Sequence, residues 1–165
     1  MVLLAKKIIY GLWNVWFYVL AGIGVVLCFP LLVIFLQKDR WYRYVFWLGR
    51  WVWSPIILYG MGFWPKFTRH QTLEKGKNYM FVANHLSMID IMMMMMAVRN
   101  LFVFVGKREL EEIPVFNYIY RRAAIMVDRD NYDSINNVYH RAQKKLDMGY
   151  CVCIYHEGLV PYPDV

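Results

Sequence analysis

The chain opens on one long apolar run and then alternates short apolar runs with polar, helix-compatible stretches. Residues 8–36 carry no charge over 29 positions. As a helix this run would extend about 43 Å, more than the hydrocarbon core of a bilayer. Gly11, Gly22, Gly24 and Pro30 interrupt it, so a kinked or re-entrant pair of shorter helices competes with one straight span. Residues 41–64 intersperse Trp41, Trp47, Trp51, Trp53 and Trp64 with Arg43 and Arg50, the pattern of a helix at the headgroup boundary where indole rings settle. Pro55 is expected to break it. Beyond Pro65, apolar runs at 79–83, 101–105, 124–128 and 150–155 read as strands. Helices are expected between them over about 87–97, 109–120 and 133–148, the last ended by Gly149. This alternation is the signature of βαβ units. The predicted fold class is α/β: membrane-associated helices over 1–64, followed by an αβ domain with a mostly parallel sheet over 65–165.

Composition sharpens that division. All seven Trp fall in the first 64 residues, where Lys6, Lys7, Lys38, Arg40, Arg43 and Arg50 face one acid, Asp39. Most of the formal net charge of +7 therefore comes from the aromatic third, and cations beside aromatics suit an anionic lipid surface better than nucleic acid. A chain that is 59% apolar and 19% charged is not disordered, collagen-like or a disulfide-stapled secreted scaffold. Cys151 and Cys153 stand too close to pair within a strand, so reduced, intracellular thiols are expected. No small-residue cleavage site follows a short apolar core, as a signal peptide requires. More cations follow the apolar run than precede it, which places residues 37 onward on the cytoplasmic side of an inner membrane.

Candidate chemistry begins directly after the first predicted strand, at Asn84-His85-Leu86-Ser87-Met88-Ile89-Asp90, the strand-to-helix turn where α/β sheets hold ligands. On a continuous helix, five residues subtend about 140° and His85 and Asp90 would point apart. Ser87 as an N-cap resolves this: the helix starts at Met88, His85 stays in the turn and Asp90 falls in the first turn. A capping box with no further role is the competing reading. The run from Met92 to Met96 most simply fills core volume, with an acyl-chain groove as the alternative. The sequence holds no P-loop, dinucleotide glycine pattern or G-x-S-x-G elbow. A metal site built from His85, Asp90, His156 and Glu157 fits no common zinc spacing, so no metal is expected.

The His85 block resembles the N-H-x-S-x-x-D motif of the glycerolipid acyltransferases typified by 1-acylglycerol-3-phosphate acyltransferases. Lys107-Arg108-Glu109-Leu110 with Pro114 resembles that family's K-x-E-L and proline segment. Val127-Asp128-Arg129 resembles the end of its second block, and Tyr155-His156-Glu157-Gly158 its F-P-E-G block. The aromatic N-terminal region is similar to its two-helix membrane motif. Ala123 stands where the family has glycine, His156 where it has proline, and Leu159-Val160 where threonine-arginine is common. The fourth, proline-containing block is not found, so the catalytic domain is expected to be incomplete at its C-terminus.

The resemblance implies transfer of an acyl group from acyl-CoA or acyl-carrier protein to the free sn-2 hydroxyl of 1-acylglycerol-3-phosphate, giving phosphatidate for phospholipid synthesis. His85 would be the general base and Asp90 its orienting carboxylate. Substrate contacts are implied at Asn84, Ser87, Lys107, Arg129, Glu157 and Gly158, with Arg129 on the acceptor phosphate and Glu157 and Gly158 at its glycerol. The expected partners are the bilayer, the lysophospholipid and the thioester donor, with no nucleic acid and no cofactor beyond that co-substrate. The open alternatives are another acceptor such as lyso-ornithine lipid, a hydrolase with Ser87 as nucleophile, and a non-catalytic membrane-bound family member.

Overall fold

A computed structural model describes residues 2–74, 76–113, 116–128 and 131–155. The apolar run forms a single helix, α1 (Val2–Phe35), which continues through its glycines and Pro30. It is long and apolar enough to cross a bilayer. Two helices follow, α2 (Tyr42–Leu48) and α3 (Ser54–Gly60), joined without a break by a π-helical turn over Gly49–Trp53. The break predicted at Pro55 does not occur. Ser54 N–H bonds to Gly49 O, and this wide turn leads Pro55 into the first turn of α3, where a residue without an N–H leaves nothing unsatisfied.

α3 folds back against α1 at close range. A Cβ on Gly24 would lie 2.6 Å from the Trp53 ring, and one on Gly60 would lie 2.7 Å from Leu20. Indole donors fasten the same contact, Trp16 Nε1 to Gly60 O and Trp53 Nε1 to Ala21 O, both at 3.0 Å. Trp47, Trp51 and Trp64 stay exposed on the outside.

Four parallel strands form the sheet: β1 (Met80–Ala83), β2 (Phe102–Lys107), β3 (Ala124–Val127) and β4 (Cys151–Tyr155), in the order β1-β4-β2-β3. The predicted α/β class and parallel sheet are therefore found. Helices α4 (Ile89–Ala97), α5 (Phe116–Ala123) and α6 (Tyr132–Asp147) fall between successive strands. Gly149, at φ +89°, ends α6 in the left-handed conformation that glycine adopts without strain.

Besides shifts of one or two residues at element ends, two segments differ in character or extent from the sequence reading. The helix expected over 109–120 is a short 3-10 turn, Arg108–Glu112, followed by α5. Ile113 is extended at ψ 117°, as the residue before a proline prefers. Strand β2 runs on to Lys107 because Gly106 offers no side chain where the Tyr120 hydroxyl approaches.

One core joins the N-terminal helices to the sheet. Cys28 and Leu32 of α1, Leu36 just beyond it, and Val45, Phe46 and Leu48 of α2 are buried together with Phe102, Val103, Ile125 and Val152. Phe46 meets Phe102 edge-on at 5.1 Å between ring centroids. Tyr42 donates its hydroxyl toward Phe102 O (3.1 Å) and Ala123 O (3.2 Å). The methionine helix α4 serves both sides of this assembly. Met92 is buried with Phe17, Leu20, Ile57 and Leu58, whereas Met95 belongs to the sheet core. Unbranched thioethers suit a helix that must fit two unlike surfaces.

Candidate active site

In a parallel sheet the C-terminal ends of all strands lie along one edge, and His85 follows β1 at that edge. The turn after β1 is built by mutual capping. Ser87 Oγ accepts from Ile89 N–H (3.3 Å), and Asp90 Oδ2 accepts from Ser87 N–H (2.8 Å) and Leu86 N–H (2.7 Å). The carboxylate arm is that of a capping box, whereas the serine arm reaches Ile89 N–H in place of Asp90 N–H. Met88 already has helical angles, while regular helical bonding starts at Ile89.

The same oxygen, Asp90 Oδ2, lies 3.2 Å from His85 Nδ1. The capping contacts and a His85–Asp90 contact thus coexist in this turn. A carboxylate only accepts, so in a neutral imidazole this contact assigns the proton to Nδ1 and leaves the Nε2 lone pair for an external donor. The His85 side chain is 12% exposed and that of Asp90 29%. The imidazole is therefore sheltered but reachable.

The remaining wall comes from β4. Register pairs Ala83 with Tyr155, and the Tyr155 ring stacks on the His85 ring at 4.3 Å between centroids and 20° between planes. Tyr155 is 8% exposed, and its hydroxyl has no hydrogen-bond partner among the described residues. Burial, then the neighbouring Cys153 and Asp90, push its pKa well above the ordinary phenol value. The sequence reading did not single out this contact. Its only signal was an aromatic residue ending a strand, where the F-P-E-G block has phenylalanine.

Among the other candidates, Asn84 is exposed beside His85. Lys107 ends β2 at the same edge of the sheet, two strands from β1, with its carbonyl accepting from Tyr120 Oη at 2.9 Å. Arg129, Glu157 and Gly158 lie outside the described residues. The structure therefore brings His85, Ser87 and Asp90 into contact and places Lys107 on the same rim. Ser87 Oγ is engaged with Ile89 N–H, with no hydrogen bond to His85 among the described residues. The cavities lined by α6 lie toward the β3 side of the sheet. The candidate chemistry is assigned to the β1 side because the paired base is there.

Residues 65–161 match the family model described as Acyltransferase. A search of curated proteins finds no match. Among solved structures, the fold is similar to the crystal structure of PlsC, the 1-acyl-sn-glycerophosphate (LPA) acyltransferase from Thermotoga maritima, with a TM-score of 0.71 at 24% identity. The match covers 96% of this chain and 64% of that one. At that identity the likeness speaks for the fold.

Proposed function

The chain belongs to the Acyltransferase family, and from that premise we propose that it acylates the sn-2 hydroxyl of 1-acylglycerol-3-phosphate from an acyl thioester to give phosphatidate. The observation that carries this reading is the His85–Asp90 pair, 3.2 Å apart, with no hydrogen bond to the second imidazole nitrogen among the described residues. A glycerol hydroxyl is a poor nucleophile near neutral pH, and a positioned imidazole can take its proton as attack begins.

His85 Nε2 accepts the hydroxyl proton while the alkoxide oxygen bonds to the thioester carbonyl carbon. Asp90 holds the tautomer and stabilises the imidazolium. The tetrahedral intermediate then collapses, the C–S bond breaks, and the departing thiolate recovers the proton from His85. Ester and free thiol are the products, so no redox partner or metal enters the balance. No acyl-enzyme is required, in keeping with a Ser87 hydroxyl committed to Ile89 N–H. In this reading Arg129 takes the acceptor phosphate through its forked donors. Asn84, Lys107, Glu157 and Gly158 place the acceptor and donor at the strand edge, and Ser87 shapes the turn. The catalytic domain works at the cytoplasmic face of a membrane. The exposed apolar face of α1 and the exposed Trp47, Trp51 and Trp64 support anchorage in that surface.

The test is acyl transfer from labelled acyl-CoA or acyl-carrier protein to lysophosphatidate in membranes carrying the chain, read by mass spectrometry beside a His85→Ala control. Phosphatidate that depends on His85 is the expected result. Equal product from the variant would remove His85 as the base, and absence of product with lysophosphatidate or lyso-ornithine lipid would remove the enzyme reading. Lysophosphatidate is tried first because PlsC is described as acting on it.

A further inference from the structure

We propose that the cationic hollow at the C-terminal end of α1 binds the phosphate headgroup of an anionic phospholipid. The hollow, about 360 Å³, lies between the end of α1, the start of β3 and the last turns of α6. Among the described residues, Lys38, Arg121, Arg122, Arg141, Lys144 and Lys145 line it against a single carboxylate, Asp39.

Contacts within the chain neutralise few of these charges. Arg121 pairs with Glu111, and Lys145 lies 3.7 Å from Asp39. Arg122 is held over the Tyr118 ring at 3.9 Å and Arg141 bonds to Met126 O at 3.3 Å, contacts that position a charge without cancelling it. Lys38 lies over Trp41 at 5.0 Å. Lys144 is exposed and has no ion pair among the described residues. Cations gathered this closely repel one another, and a bound phosphate relieves that repulsion.

The lining also specifies what carries the phosphate. Phe35, Leu36, Ile125 and Met148 form an apolar side of the hollow. Free phosphate has no use for such a surface, whereas the glycerol and upper acyl segments of a lipid do. Phe35 ends the apolar helix, Leu36 follows in the turn, and Lys38 stands two residues on. Basic pockets at the ends of membrane helices bind anionic headgroups in this way.

The hollow is separate from the His85 turn. β3 and β1 are opposite edges of the sheet, about 14 Å apart at three strand spacings. Ala124 and Ile125 stand at the start of β3, whereas His85 follows the end of β1. The proposal rests on membrane anchorage alone, not on acyl transfer, and its test contains no donor.

The experiment uses the full chain in detergent micelles doped with phosphatidylglycerol or phosphatidylcholine, with retained lipid counted by native mass spectrometry. Lys38→Gln with Lys144→Gln removes two exposed charges of the hollow, and Lys66→Gln with Arg99→Gln removes two exposed charges outside both the hollow and the aromatic helices. Arg122→Gln is the second hollow variant. Phosphatidylglycerol is expected to bind in preference to phosphatidylcholine, about tenfold more weakly or worse in the first pair and unchanged in the control pair. Excess inorganic phosphate is expected to leave the lipid in place. Equal losses in both pairs would mean diffuse surface charge, displacement by phosphate would mean a free-anion site, and equal retention of phosphatidylcholine would mean an apolar contact. Each of these outcomes overturns the proposal.

Discussion

The phenol ring of Tyr155 lies flat against the imidazole of His85, with centroids 4.3 Å apart, so the last strand forms a wall for a residue that follows the first. The wall uses the ring and leaves the hydroxyl without a partner among the described residues. A buried hydroxyl without a partner costs about 1–3 kcal/mol. Tyr155→Phe should therefore stabilise the protein by roughly 1 kcal/mol and retain acyl transfer. Tyr155→Ala should lower turnover at least tenfold, because the imidazole loses the face that holds it. Thermal unfolding and initial rates on the two variants check both statements. A Phe variant as inactive as the Ala variant would assign the hydroxyl a role in the chemistry.

Asp90 separates the two functions of its turn. Its Oδ2 accepts from two backbone N–H groups as well as from His85. Asp90→Asn should reduce turnover by on the order of 10³-fold or more, since the imidazole loses the carboxylate that fixes its tautomer. It should also destabilise by about 1–2 kcal/mol through the weakened cap. Ser87→Ala should cost about 1 kcal/mol of stability, reduce activity only in part, and leave no acyl-serine to lose. An acyl adduct on wild-type Ser87, detected by peptide mass mapping, would restore the hydrolase alternative.

The local chemistry of this turn was legible in the sequence because caps act over three or four residues. Ser87 and Asp90 signal the helix start, and the start dictates that His85 and Asp90 can meet. Strand limits at 79–83 and 150–155 differ by one residue from the observed β1 and β4, since each strand is a short apolar run between polar neighbours, although only β4 is buried. The stack on Tyr155 was not legible, because strand order sets first and last strands side by side and no local pattern encodes that. The continuity through Pro55 depends on a π turn whose bonding the residue types do not announce. Composition changes at residue 64, yet Tyr42 and Phe46 are buried against Phe102, which only packing reveals. Arg129, Glu157 and Gly158 rest on resemblance.

Arg50 ties the N-terminal helices to the end of α4. It is 8% exposed and donates to Met95 O at 2.8 Å and to Val98 O. Arg69 adds a bond to Ala97 O at 2.8 Å. Burial, then Arg99 and Arg69, push the Arg50 pKa down, while the carbonyl end of the helix favours its charge. Arg50→Met should destabilise by about 2 kcal/mol by leaving buried carbonyls unpaired. Arg50→Lys should recover much of that loss, because both bonds leave the single nitrogen Nη1 and an ammonium keeps enough donors for two carbonyls. Denaturant midpoints of the two variants decide it, and a Lys midpoint no higher than that of Met would refute a role through these carbonyl bonds.

Stability should fall on the alkaline side and change little near neutrality on account of the buried acids. Burial pushes the Cys153 thiol up from 9.0 to about 12. Burial also raises Tyr42, assisted by Tyr150, and Tyr150, assisted by Asp39; Tyr155 is raised as well. Each group binds its proton more tightly folded than unfolded, so its contribution is fully present below the unfolded pKa. As pH rises into the window, the unfolded chain gives up the proton first and the folded state loses ground. The slope is about 1.4 kcal/mol per pH unit for each group inside its window. The melting temperature should therefore owe these groups no slope below about pH 9 and should decline above it, less steeply in Cys153→Ala between about pH 9 and 12. Iodoacetamide should leave Cys153 unmodified in the folded protein at pH 8, since the reactive thiolate is absent and the side chain is fully buried. A melting temperature constant up to pH 11, or fast alkylation of native Cys153, would contradict the burial that the structure assigns to this strand.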